Sequence, residues 1–234
     1  MGRKWDLNAT PAPNRLTGIN NMKEHFIKTP KTARYYIAGE PSRNTKNLWF
    51  VIHGFGQLAG EFIKQFDYLV NDETIVIAPE GLSRSYFGDK TGASWMTKED
   101  REHEIEDYVR YLDNLFDEIY SAAGLDKLNV NVIGFSQGVH TAARWFTRGK
   151  HNFQKLVLCS SDFPRDADFE KLRDKLENAN MYYFWGDNDE FISKAAFEKS
   201  VELLVSKQIC FENFPFKGKH IILHEQIKKL ACDK

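Results

Sequence analysis

The sequence predicts an α/β fold in which a mostly parallel sheet carries helices on both faces, and three observations predict it. Continuous apolar runs at residues 48–52, 74–78, 130–133, 156–158 and 181–185 alternate with amphipathic stretches, and a strand buried on both sides reads as such an unbroken run. Gly134-Phe135-Ser136-Gln137-Gly138 lies between the third run and a helix-like stretch at 139–146, which is the pattern of a sharp strand-to-helix turn. The chain has 234 residues with 42% hydrophobic content, enough for one well-packed domain and too little for a second.

Taken in order, residues 1–21 are rich in Asn, Pro and Gly without periodicity and read as an irregular arm, leaving 22–234 as a single domain. Residues 25–28 and 33–37, separated by Thr29-Pro30-Lys31, read as an antiparallel hairpin at a sheet edge. The buried strands follow. Thr97-Lys98-Glu99-Asp100 has the form of a capping box, and Ile105, Val109, Leu112, Phe116 and Ile119 recur at steps of four and three, so the longest helix starts there. Gly124 ends it. Shorter helices are expected at 169–178, 193–207 and 221–230, with a last strand at 210–214.

Charge and composition narrow the function. The 32 basic and 33 acidic residues are interspersed and leave a net charge of −1, so the chain carries no electrostatic footprint for nucleic acid or anionic lipid. Neither an apolar signal segment nor a run of about 20 apolar residues is present, which predicts a soluble, cytoplasmic protein without membrane insertion. Cys159, Cys210 and Cys232 include no C-x-x-C pair, which argues against a disulfide framework and a thiolate zinc site.

The turn at Ser136 carries the chemistry. A serine hydroxyl is a weak nucleophile and needs an imidazole base, itself oriented by a carboxylate. In the strand–G-x-S-x-G–helix arrangement these follow in the order Ser, acid, His. Gly186-Asp187-Asn188-Asp189-Glu190 follows the run at 181–185, and Lys217-Gly218-Lys219-His220 follows the last strand, so both loops emerge at the same sheet edge. Asp189 is favoured as the acid, with Asp187 and Glu190 in reach; Asp187 alone reads as an ordinary turn residue. His224 is a rival to His220, but Ile221 stands where H-E-x-x-H needs its glutamate, so no metal site is expected and His224 reads as a helix-surface residue. His25, His103, His140 and His151 show no partner pattern. The oxyanion donors are the backbone N–H of Gln137 and, from the glycine-containing loop after the run at 48–52, that of Phe55. The same loop loosely matches a dinucleotide fingerprint, Gly54-x-Gly56-x-x-Ala59 with Glu80 at the ribose distance, but that reading leaves the serine turn, the Asp loop and His220 unexplained.

The motifs H-G-F-G, G-F-S-Q-G, G-D-N-D-x-x-I and G-K-H, in this order from about Lys46 onward, resemble the carboxylesterase and lysophospholipase branch of the α/β-hydrolases that includes the acyl-protein thioesterases. That resemblance implies a mostly parallel eight-stranded sheet, a triad of Ser136, His220 and Asp189, an oxyanion hole at Phe55 and Gln137, and no cofactor. Ala93-Ser94-Trp95-Met96 is similar to the branch's segment near the acyl pocket, so Trp95, with Tyr86 and Phe87, is an expected substrate contact; Phe135 and Phe163 are pocket or core. Val139 replaces a glycine common in the branch, and residues 80–96 are the least similar part. The expected activity is hydrolysis of a small acyl ester or thioester through an acyl-enzyme. Lysophospholipase or acyl thioesterase activity is the alternative within the class, and a catalytically silent binding protein the alternative outside it.

Overall fold

A computed structural model describes residues 22–123 and 128–232, apart from the side chains of residues 87, 122, 123 and 232. The arm expected at 1–21 and the helix stop expected at Gly124 lie outside the described residues. Of the described residues, 33–123 and 128–232 belong to one compact unit and 22–32 to another. Residues 22–32 carry no regular secondary structure, so the strand expected at 25–28 does not form, and its expected hairpin mate, Tyr35–Ala38, pairs with Thr74–Pro79 instead.

The central sheet has seven strands, β1 (Tyr35–Ala38), β2 (Asn47–Ile52), β3 (Thr74–Pro79), β6 (Asn129–Phe135), β7 (Lys155–Cys159), β8 (Asn180–Gly186) and β9 (Glu212–Phe216). They lie in the order β1-β3-β2-β6-β7-β8-β9. Only β1, at the edge, runs antiparallel. Among the described residues the expected eighth strand is therefore absent from this sheet. Instead β4 (Ser83–Phe87) and β5 (Lys90–Ser94) pair as a separate hairpin in the segment least like the resembling branch. Apart from Tyr86-Phe87 its residues are polar or small, so no apolar run announces it.

Alternate residues of each strand enter two cores, as the pleat requires. Leu48, Phe50, Val130, Val132, Leu156, Leu158 and Tyr183 face α2 (Arg101–Ala123), α3 (Gln137–Arg148), α4 (Phe169–Leu176) and α5 (Lys194–Ser206). Trp49, Val51, Val76, Val157 and Phe184 face α1 (Ala59–Phe62), the 3₁₀ helix Ile63–Leu69 and α6 (His224–Cys232). Helices thus cover both faces. The longest helix begins at Arg101, beyond the expected box: Asp100 takes a left-handed φ of 42°, and Glu104 reaches back to accept from Thr97 N–H at 2.5 Å.

One ion-pair cluster joins α2 and α3 to the loop after β7. Arg144, 2% exposed, pairs in bidentate fashion with Asp166 at 3.1 and 2.9 Å, and Arg101 adds a contact at 2.7 Å. Burial opposes ionisation of Asp166, but the bonds from Arg144 and Arg101 outweigh it and hold the carboxyl well below the usual range. Asp166→Ala strands a buried guanidinium and is expected to cost about 2 kcal/mol at pH 7, allowing for the partial exposure of the carboxylate. Because the folded pKa is depressed, this stabilisation is complete above the unfolded value near ~4 and fades as pH falls toward the folded one. Urea unfolding at pH 7 and 3 tests it: the gap between wild type and variant should narrow at pH 3, and an unchanged gap would refute the ion-pair origin.

Candidate active site

The sheet order brings together the loop of Ser136 and the loop expected to carry Phe55 as an oxyanion donor. β2 lies between β3 and β6, so the connections diverge there, and ligands of open α/β sheets sit at such a point outside the carboxyl ends. Ile52 is in register with Gly134, which makes the loops after β2 and β6 leave side by side. A Cβ built on Gly54 would lie 3.0 Å from Ser136 Cβ.

Ser136 is half-buried with φ 53° and ψ −124°, a conformation that costs a non-glycine residue about 1–3 kcal/mol and is held by its surroundings. Those surroundings are tight. A Cβ on Gly138 would sit 2.1 Å from Ile52 O, and one on Gly134 2.4 Å from Gly138 O, so both positions need glycine for strand and helix to pass. Gln137 is the first residue of α3, where N–H groups have no intrahelical partner. In the neighbouring loop Gly54 N–H donates to Gln57 Oε1 at 2.7 Å, fixing the turn that carries the exposed Phe55.

The acid and the histidine meet at the other half of the edge. Gly186 of β8 is in register with Phe216 of β9, so the loops at 187–193 and 217–223 also emerge together. His220 Nδ1 lies 2.7 Å from Asp189 Oδ2, with the Asp189 side chain fully buried. Asp189 Oδ1 accepts from Phe191 N–H and Ile192 N–H, each at 2.9 Å, so the carboxylate is locked by its own loop. The other two acids do different work: Asp187 Oδ1 accepts from Gly218 N–H at 3.1 Å, and Glu190 Oε2 from His220 N–H at 3.4 Å. Ser160, itself at φ 57°, donates to Ile221 O at 3.0 Å. The His220 ring lies 4.9 Å from that of Phe135, the residue before Ser136. Among the described residues Ser136 Oγ makes no hydrogen bond, and catalytic contacts often tighten only with substrate.

Other expected positions differ in kind. Trp95 is 1% exposed, tilted against the His53 ring at 5.1 Å and edge-on to Tyr108 at 6.1 Å, so it supports the site from within the core. Phe135 and Phe163 are likewise core. Tyr86 is 83% exposed on the hairpin, and the Phe87 side chain lies outside the description. His224 opens α6 while His220 lies in the loop ahead of it, so the two do not share a helix face. Its ring stands edge-on to Tyr68 at 5.3 Å, half-buried, which corrects the helix-surface reading. His140 and His151 have partners the sequence did not suggest, Asp162 at 2.9 Å and the Phe116 ring at 3.8 Å. Among the described residues no group of three metal-ligating side chains converges. Glu80, the ribose-binding candidate of the dinucleotide reading, is buried against Arg34 at 2.7 Å and Arg84 at 3.3 Å and accepts from Ala59 N–H at 3.2 Å.

Sequence reasoning missed His53. Its imidazole is fully buried, with Nε2 accepting from Gly81 N–H at 3.0 Å, which leaves the proton on Nδ1 for Gly54 O at 2.8 Å. Burial pushes its pKa down, so it stays neutral and ties the loops after β2 and β3 together.

Solved structures of similar fold include esterases and a thioesterase. The chain is 18% identical to esterase PE8, with a TM-score of 0.65 over 86% of this chain and 97% of that one. It is 15% identical to Zea mays acyl-protein thioesterase 2, with a TM-score of 0.60 over 86% and 97%. For the Bacillus cereus carboxylesterase the values are 17%, 0.61, 85% and 92%. These likenesses define the fold as that of the α/β-hydrolases. The serine hydrolase (FSH1) family model matches residues 46–226, and the chain belongs to that family. No curated protein matches the sequence. It is a serine hydrolase of α/β-hydrolase fold.

Proposed function

We propose that the protein is a carboxylesterase-type hydrolase of small acyl esters or thioesters, acting through Ser136, His220 and Asp189. The observation that carries this reading is the 2.7 Å contact between His220 Nδ1 and a buried, doubly anchored Asp189 carboxylate, one ring contact away from the turn at Ser136. The Asp189 carboxylate accepts a hydrogen bond from Nδ1–H, which keeps the proton on Nδ1 and leaves Nε2 bare to take the Ser136 proton as Oγ attacks the carbonyl. The tetrahedral oxyanion is held by the N–H groups of Gln137 and Phe55. Return of the proton expels the alcohol or thiol, and water releases the acyl group by the same steps in reverse roles. Phe55, Tyr86 and Phe191 are exposed on loops and hairpin around this edge, and Phe191 stands edge-on to His220 at 4.9 Å, which favours an apolar acyl group. Cys159 and Cys210 are free, in keeping with a reducing, cytoplasmic setting.

Labelling with a fluorophosphonate separates this reading from a silent binding protein. A single adduct mapping to Ser136 is expected, absent from Ser136→Ala. An unlabelled wild-type protein, or an adduct elsewhere, would sink it. Rates across p-nitrophenyl esters of increasing chain length then rank the acyl group.

A further inference from the structure

We infer that the side chain of Gln137 is a positioning residue that couples the β4–β5 hairpin to the oxyanion hole, an inference that rests on the proposed function. Its amide, half-buried at the start of α3, grips a segment more than 40 residues away in the chain. Nε2 donates to Met96 O at 2.9 Å and to Ser94 Oγ at 3.1 Å, while Oε1 accepts from Trp95 N–H at 3.1 Å. A flipped amide would set its NH₂ against Trp95 N–H and its oxygen against Met96 O, so the network fixes the orientation.

The gripped segment is the end of β5, and β5 holds the oxyanion loop. Gly56 N–H donates to Ala93 O at 2.8 Å and Ala93 N–H to Gln57 O at 3.2 Å. A Cβ on Gly92 would lie 2.4 Å from Gly56 O, so the hairpin backbone rests directly on this loop. Phe55 is therefore bracketed by Gly54, tied to Gln57 Oε1, and by Gly56, tied to Ala93. Trp95 adds a bond from Nε1 to His53 O at 2.9 Å. One residue thus supplies one oxyanion donor through its backbone and sets the place of the other through its side chain. A donor displaced from where the oxyanion forms loses transition-state stabilisation and leaves ground-state binding unchanged.

Two variants test this, each assayed for kcat and KM with a p-nitrophenyl ester from pH 8 to about 5, beside Ser136→Ala. Gln137→Met keeps the bulk and removes the bonds; kcat is expected to fall roughly 30- to 100-fold with KM within about threefold, a loss near that of one oxyanion donor. Gln137→Glu is the sharper probe. An ionised carboxylate cannot donate to Met96 O, whereas the acid form can donate there and accept from Trp95 N–H. The ratio of variant to wild-type kcat should therefore rise about tenfold or more as pH falls from 8 to about 5, the range in which a carboxyl beside a carbonyl oxygen takes up its proton. Taking the ratio at each pH cancels the pH dependence that variant and wild type share. Wild-type kcat in both variants, or a loss whose ratio stays flat with pH, overturns the inference. An active Ser136→Ala would instead overturn the proposed function.

Discussion

Replacing Ser136 with alanine is expected to lower kcat for an ester by roughly 10⁵–10⁶, the scale seen when a triad nucleophile is removed, and to leave folding stability within about 0.5 kcal/mol. The two halves have separate causes. The hydroxyl is the proposed nucleophile, so no other group replaces it. Stability is untouched because Oγ makes no hydrogen bond among the described residues, and the strain at φ 53° belongs to the backbone and Cβ that alanine keeps. Kinetics on a p-nitrophenyl ester and urea unfolding of both proteins check the two halves together. Turnover near wild type in a variant of unchanged stability would remove Ser136 from the mechanism.

How much of this was legible in the sequence depends on the range of the interaction that encodes it. The buried parallel strands were readable because each is an unbroken apolar run, and β2, β3, β6, β7 and β8 fall within two residues of the expected limits. The turn at Ser136 was readable because its glycines and serine are local to one turn. The β4–β5 hairpin was not: Ser-Arg-Ser-Tyr-Phe and Lys-Thr-Gly-Ala-Ser show no alternation and only the pair Tyr86-Phe87 as an apolar stretch, and β5 is tied to the distant loop at Gly56. The start of the longest helix was misplaced because Glu104, and not a residue of the expected box, reaches Thr97. Among the three acids of the loop after β8, the sequence favours Asp189 but does not show what each of them holds. Their roles come from partners about 30 residues on: His220 Nδ1 for Asp189, Gly218 N–H for Asp187 and His220 N–H for Glu190. The grip of the Gln137 side chain, closed across 41 to 43 residues, is hidden for the same reason.

That division among the acids yields the second large effect. Asp189→Asn is expected to reduce kcat by about 10⁴, as the corresponding change does in serine proteases, with little change in fold. The cause is tautomeric. Oδ1 of Asp189 is held by the N–H groups of Phe191 and Ile192, so an asparagine keeps its carbonyl oxygen there and turns its NH₂ toward His220 Nδ1. A nitrogen facing that donor must be the bare acceptor, which moves the ring proton to Nε2, and an imidazole protonated at Nε2 cannot take the proton of Ser136. Asp187→Asn meets no such conflict, because the Gly218 N–H at 3.1 Å needs only an acceptor and the amide oxygen supplies one; its kcat should stay within about tenfold of wild type. Steady-state kinetics of the two variants on one ester, with circular dichroism to verify folding, decide the matter. Should Asp187→Asn be the inactive protein and Asp189→Asn the active one, the orienting carboxylate is Asp187, and the buried contact to Nδ1 serves only to anchor the loop.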